Sequence, residues 1–226
     1  MGRSVLGPRA IEHGVAELEK SELEALVAQA KRQIRARMKG LRGALPPAAL
    51  AARSAKVVER LREVPALMAA KSVALFWPIT RKSEIDLRPL DASLRERGVR
   101  LYYPFMTPTA SGFHTGFRLL DDTALLEERG RGFMEPPTSA PEAARGEVDL
   151  VVVPALAASA DGYRIGYGIG YYDVTLPDLC PPATTVIVAL SFQLLAEAPH
   201  SAGDFACDLV VTDEGVSDAR SLRGPV

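Results

Sequence analysis

Three runs rich in Val and Ile constrain this chain most: Asp149 to Val153, Thr185 to Leu190 and Asp208 to Val211. A strand with one wet face alternates apolar and polar residues. A run that is apolar at every position needs cover on both faces, as in parallel sheets flanked by helices. Two earlier runs extend the series, Val73 to Trp77, stopped by Pro78, and Val99 to Tyr103. Leu87 to Arg97, between them, reads as a helix ending at Gly98, where the left-handed conformation is easily adopted. This alternation predicts an α/β fold with a layered, largely parallel sheet.

Upstream the pattern is helical. Ser21-Glu22-Leu23-Glu24 has the form of a capping box, and Leu23, Leu26, Val27, Ala30, Ile34, Met38 and Leu41 recur at three- and four-residue steps. Pro46-Pro47 ends this helix, and Ala48 to about Glu63 forms a second, with Val57, Val58 and Leu61 inward. Residues 1–20 read as a poorly ordered leader and 21–226 as a single domain. Thr107 to Gly146, rich in Pro, Gly and charge, reads as a long connection with one short strand at Gly116 to Leu119.

The formal charge of −1 gives no bulk attraction to nucleic acid or an anionic membrane, so local clusters must carry any anion binding. No stretch approaches the roughly 20 apolar residues of a membrane span, and the first residues lack the apolar core of a signal peptide. Cys180 and Cys207 have no metal or redox spacing, and His13, His114 and His200 are too scattered for zinc or a Ser/His/Asp arrangement. A cytoplasmic protein is the expectation, with no nucleic-acid or membrane partner; the sequence does not give the oligomeric state, and a monomer is favoured.

The segment most informative about chemistry runs from Asp149 to Asp173. A buried strand leads into a loop carrying Gly162, Gly166, Gly168 and Gly170, followed by Tyr171, Tyr172 and Asp173. Alternate glycines let backbone N–H groups turn toward an anion, although the GxGxG spacing is not a dinucleotide fingerprint and a plain turn has the same composition. Arg164 reads as a phosphate contact or a surface arginine. Asp173 reads as a Mg²⁺ ligand or a helix N-cap. Lys31 and Arg35 share a helix face, each one residue past the apolar stripe. With Arg32, Arg37, Lys39 and Arg42 nearby they form either a solvated basic face or the rim of a cleft. Glu84, beyond the C-terminal end of the Val73–Trp77 strand, stands where α/β proteins place ligand contacts, and equally where helices begin.

Taken in order, these pieces resemble the 5-formyltetrahydrofolate cyclo-ligases from about Lys31 to Val216. The resemblance comprises K-x-x-x-R at Lys31 and Arg35, E-I-D at Glu84, G-x-x-E-P at Gly132, Glu135 and Pro136, the loop R-I-G-Y-G-x-G-Y-Y-D at 164–173, and D-x-V-x-T at Asp208 to Thr212. It implies the three-layer α/β/α fold of the sugar-phosphate isomerase and CoA-transferase group. It also implies ATP- and Mg²⁺-dependent closure of 5-formyltetrahydrofolate to 5,10-methenyltetrahydrofolate. Lys31 and Arg35 would contact the phosphates, with Tyr171 beside them in catalysis. Arg164, Ile165, Gly166, Tyr167, Gly168, Ile169, Gly170, Tyr171 and Tyr172 would wrap the nucleotide. Trp77, Glu84, Tyr167 and Tyr171 would face the folate, and Asp173 and Asp208 would hold Mg²⁺. The chain departs from the family pattern at Ala158-Ser159, Ile169, Val174 and Leu195, and in a longer Trp77–Glu84 connection. Ala158-Ser159 and that connection are expected near the folate pocket. Two further readings are a paralogue that binds nucleotide or folate without turnover, and a phosphoryl transferase acting on another small acceptor.

Overall fold

The computed structural model describes residues 8–129 and 132–223, with side chains from Ser21 onward. The chain opens with α1 (Pro8–Gly43), α2 (Pro47–Glu63) and α3 (Pro65–Ala69), then β1 (Ser72–Ala74), α4 (Arg88–Glu96) and the hairpin β2 (Arg100–Thr109) and β3 (Gly112–Leu119). A small ladder, β4 (Glu127–Arg129) and β5 (Phe133–Glu135), precedes β6 (Leu150–Pro154), β7 (Ala157–Ser159) and β8 (Arg164–Ile165). Then come α5 (Tyr171–Leu179), β9 (Thr184–Val188), β10 (Leu194–Leu195), β11 (Leu209–Val211), β12 (Val216–Asp218) and α6 (Ala219–Arg223).

The main sheet runs β12-β11-β9-β6-β1-β2-β3. Pairing is parallel from β11 to β2, and antiparallel only at the two edges, β11 with β12 and β2 with β3. Alternate residues of each run serve opposite layers. Val73, Leu101, Leu150, Val152, Val186 and Val188 face Val57, Leu61, Leu67, Leu90 and Leu94 of α2, α3 and α4. Ala74, Tyr102, Val151, Val153, Ile187 and Val210 face Tyr171, Leu176 and Leu179 of α5 and Ala219 of α6. The three-layer α/β/α architecture follows from covering both faces of these strands. A third cluster, Met38, Leu156, Ala157, Ile165 and Ala198, lies between α1 and the small sheet β10-β7-β8.

Three expectations are corrected. The first helix begins at Pro8 rather than Ser21, because Ala, Glu, Leu and Lys on both sides favour helix and one internal Ser costs only about 0.5 kcal/mol. Residues 1–7 of the expected leader lie outside the described residues. Next, α1 turns a different face inward than the leucines suggest. Leu23 and Leu26 are 62% and 63% exposed, and Lys31, Ile34, Arg35, Met38 and Arg42 form the inner stripe. Finally, part of the region expected to be a long connection is the hairpin β2–β3, paired from Tyr102↔Leu119 to Thr109↔Gly112. Its close pair is Phe105↔Gly116, where a Cβ on Gly116 would come within 2.8 Å of the Phe105 ring.

Candidate functional site

The sheet order creates a switch point. From β1 the chain crosses through α4 to β2 on one side, while β6 lies on the other side of β1 and crosses through α5 to β9. The two crossovers lie on opposite faces, so a crevice opens beyond the C-terminal ends of β1 and β6, the usual ligand position in such sheets. A cleft of about 490 Å³ occupies it. Phe76 and Trp77 enter from the end of β1 and Pro154 from the end of β6, while Lys31 and Arg35 enter from α1.

The loop from Gly166 to Gly170 forms another wall. Arg35 Nε donates to the Gly166 carbonyl at 2.9 Å, which ties the loop to α1. Gly168 has φ of 99°, and a Cβ there would sit 3.3 Å from Arg35 Cζ, so helix and loop approach closely only because residue 168 is glycine. Gly170, at φ 72°, opens α5, whose first turn presents N–H groups that no helix satisfies internally. Among the described residues Ser83 is the one non-glycine residue with positive φ, so Ile169 has an ordinary backbone; its side chain is 48% exposed.

Glu84 is buried in the same cleft, and its Oε2 accepts the Ile79 N–H at 2.8 Å. The Tyr167 hydroxyl meets Arg42, and burial followed by the nearby Glu84 charge pushes the phenol well above its usual range. Lys82 lies 4.3 Å from the centre of the Tyr167 ring. Burial lowers its pKa; Glu84 opposes this, while Arg81, Lys39 and Arg42 add to it. Lys31 places its ammonium 2.7 and 2.5 Å from the two carboxylate oxygens of Asp204, which Ser201 also holds. Trp77 meets Tyr103 edge-on at 6.3 Å.

Lys31, Arg35, Trp77, Glu84, Arg164, Gly166, Tyr167, Gly168, Ile169, Gly170, Tyr171, Tyr172 and Asp173 thus line one cavity, although they come from three separate chain segments. Four assignments change in character. The Arg164 guanidinium, expected on a phosphate, already donates to Phe205 O and Asp173 Oδ1, each at 2.7 Å, and to Cys207 Sγ; it builds the wall. The Tyr171 hydroxyl donates to the Gly116 carbonyl, burial raises its pKa well above normal, and its ring packs against the sheet while still lining the cleft. Ile165 points into the cluster beneath α1, 1% exposed and outside the cleft. Asp208 does not line the cleft: its Oδ2 accepts from Thr185 N and Oγ1, each at 2.8 Å, stapling β11 to β9. Ala158 and Ser159, expected near the folate pocket, lie fully buried in β7 and outside the cleft, whereas the Trp77–Glu84 connection does line it through Ile79 and Lys82.

No cluster of three or more His, Cys, Asp or Glu among the described residues could hold a metal ion by itself. A dication that arrives on a polyphosphate needs only one or two protein carboxylates. Asp173 fits that role, since it lines the cleft with its carboxyl partly exposed. Sequence reasoning did not single out Asp204, Arg42 or Lys82 as site residues. Arg42 could have been found, because it continues the series 31, 35, 38 on one helix face; Asp204 has no local signal.

The profile of the 5-formyltetrahydrofolate cyclo-ligase family matches residues 27–213. A 5-formyltetrahydrofolate cyclo-ligase of Mycolicibacterium smegmatis is 31% identical over 149 residues, 64% of this chain and 75% of that protein. One from Escherichia coli is 27% identical over 177 residues, 77% of this chain and 96% of the relative. The solved 5,10-methenyltetrahydrofolate synthetase of Aquifex aeolicus superposes with a TM-score of 0.71 at 31% identity, covering 84% of this chain and 93% of that one. The Mycoplasma pneumoniae synthetase, at TM-score 0.64 and 22% identity over 81% and 98% of the two chains, shares the fold.

Proposed function

The chain belongs to the 5-formyltetrahydrofolate cyclo-ligase family, and we propose how its cleft carries out that family's reaction. The enzyme is an ATP-dependent ligase that cyclises 5-formyltetrahydrofolate to 5,10-methenyltetrahydrofolate, with release of ADP and phosphate. One observation carries the assignment of residues: a single cavity at the switch point unites the buried Glu84 carboxylate with Lys31, Arg35 and the glycine loop.

ATP lies with its phosphates against Lys31, Arg35, the 166–170 loop and the first turn of α5, where cations and free N–H groups meet. The folate lies against Trp77 and Tyr167, with Glu84 accepting from the polar edge of its pterin. The formyl oxygen attacks the γ-phosphorus, and the bond from that phosphorus to ADP breaks. N10 then attacks the activated carbon, loses its proton, and phosphate leaves with the former formyl oxygen. No nucleophilic side chain is needed; the protein positions the reactants and neutralises phosphoryl charge. Mg²⁺ held through Asp173 would supply further neutralisation on the phosphate oxygens.

No helix among the described residues is long and apolar enough to cross a membrane, and Cys180 and Cys207 are free and buried; these support a cytoplasmic location. The test is to mix the protein with ATP, Mg²⁺ and 5-formyltetrahydrofolate and follow methenyltetrahydrofolate absorbance. A rise that requires ATP is expected; a flat trace with folded protein overturns the reading.

A further inference from the structure

Ring closure leaves one proton without an acceptor. Once N10 has bonded to the activated carbon, it carries a hydrogen that must be removed to give the product. The carboxylates of the cleft are engaged: Asp204 with Lys31, Asp173 with Arg164, and Glu84 with the Ile79 N–H. The hydroxyls of Tyr167, Tyr171 and Tyr172 stay protonated, burial being the largest cause at each. Among the described residues no histidine lines the cleft. Lys82 does.

Its side chain is set by the turn Thr80–Lys82, which Ser83 closes at φ 51° and ψ 44°. Lys82 N donates to Ile79 O at 2.9 Å and Ser83 N to Thr80 O at 3.0 Å. A left-handed residue other than glycine is costly, and such strain persists where the surroundings over-determine it. Nζ stands 4.3 Å from the centre of the Tyr167 ring, and Lys39 and Arg42 of α1 each stand 5.6 Å from the same ring. Among the described residues no carboxylate is paired with Lys82; Glu84, two places on, acts on it through its field. Burial first, then the neighbouring charges of Arg81, Lys39 and Arg42, make the amine shed its proton more readily than an ordinary lysine, while Glu84 opposes them. Behind the amine lies a second cavity of about 460 Å³, which Lys82 and Tyr167 share with the cleft and which reaches the exposed Lys39 and Arg81.

We propose that Lys82 is the catalytic base that takes the N10 proton. The N10 lone pair forms the bond to the activated carbon. The N10–H bond then breaks, its electrons return to nitrogen, and its proton passes to Nζ. The carbon–oxygen bond breaks with its pair leaving on phosphate, and the ammonium gives its proton to water through the second cavity. This rests on the reading of the cleft as the folate pocket, with the reacting nitrogens beside Tyr167.

The test compares the parent with Lys82→Arg and Lys82→Ala, each checked by thermal melting, across about pH 5 to 9. Parent kcat should fall toward acid as Nζ takes up its proton. Lys82→Arg keeps the cation but cannot give up its proton, so kcat should drop about 100-fold, with KM for ATP unchanged and the acid limb gone. Small primary amines should restore turnover to Lys82→Ala, which a merely structural role would not allow. Parent-like kcat in Lys82→Arg, or an acid limb that survives in Lys82→Ala, overturns the proposal. The amine is also titrated without turnover, from the pH dependence of its acetylation by acetic anhydride in the parent, located by peptide mass spectrometry. A midpoint below that of the other lysines supports the proposal, and an ordinary one sinks it. If Lys82 titrates low in folded parent but no methenyltetrahydrofolate forms, the reading of the cleft fails and the base assignment falls with it. If cyclisation proceeds while Lys82 titrates as an ordinary lysine, the base assignment alone fails.

Discussion

Lys31 and Asp204 face each other across the rim of the cleft, the ammonium within 2.7 Å of one carboxylate oxygen and 2.5 Å of the other. The residue proposed to receive a phosphate therefore already holds an anion. On that proposal, incoming nucleotide would have to share Lys31 with Asp204 or displace it.

Replacing Lys31 by Ala should raise KM for ATP or lower turnover at least tenfold, and it should also cost about 3 kcal/mol of stability, since both side chains of the pair are mostly buried and Asp204 keeps only its bonds from Ser201. Arg35→Lys should be impaired as well, because the lysine keeps the charge but loses the Nε–H that ties the loop through Gly166. Steady-state kinetics beside thermal melts check both; parent-like activity in either variant removes that residue from the phosphate site.

Arg164→Ala should behave in the opposite way. Its guanidinium is buried and bonded to Phe205, Asp173 and Cys207, so removal leaves unpaired groups inside the wall and should cost about 3 kcal/mol. Denaturant unfolding measures this; a loss within 0.5 kcal/mol, as expected of a surface arginine, would contradict the geometry.

The two aspartates once paired as metal ligands should separate. Asp173→Asn should raise the Mg²⁺ concentration needed for half-maximal activity. Asp208→Asn should leave that midpoint unchanged and lower the melting temperature, because it weakens the staple to Thr185. A shift of the Mg²⁺ midpoint in the Asp208 variant alone would reverse the assignment.

Acid sensitivity should trace partly to Asp149. Although burial opposes ionisation, the N–H groups of Lys71 and Ser72 and the Ser72 hydroxyl, all donating to Oδ2, hold its pKa below the ordinary carboxylate value. A depressed carboxylate contributes stability above its unfolded pKa, and that contribution disappears as pH falls through the folded value. Asp149→Asn should thus be less stable than the parent at pH 7, with the difference closing below about pH 4. A gap independent of pH would show that the hydrogen bonds, not the charge, account for it.

Ile169→Lys should lower KM for ATP without changing the melting temperature. The position has ordinary φ and a half-exposed side chain, so a lysine stem fits and its charge reaches the loop face. An unchanged KM would place the 169 side chain out of reach of the phosphates.

Much of the fold is legible in sequence because β6, β9 and β11 are dominated by Val, Ile and Leu on both faces, and such runs admit few architectures. The hairpin arm was hidden because Pro104, Pro108, Gly112 and Gly116 are the residues that usually interrupt strands, and only cross-strand fit, such as Phe105 over Gly116, makes them tolerable. In the site, Lys31, Arg35, Glu84 and Asp173 could be picked by residue type and spacing. Asp204 could not, since its meaning depends on a partner 173 residues away. Asp208 misled for the converse reason: a carboxylate that opens a strand looks the same in sequence whether it binds a cation or a neighbouring strand.

The Lys31–Asp204 contact also says something about how the enzyme is born. It closes a loop spanning most of the chain, and contacts of that range form late, after the loop entropy has been met. The layer of α2, α3 and α4 can collapse onto β1 and β2 while the ribosome is still adding residues, but the wall containing Asp204 arrives only near the end of synthesis. A nascent or truncated chain therefore carries helix and strand without a finished cleft. On refolding, recovery of activity should lag recovery of the helical circular-dichroism signal.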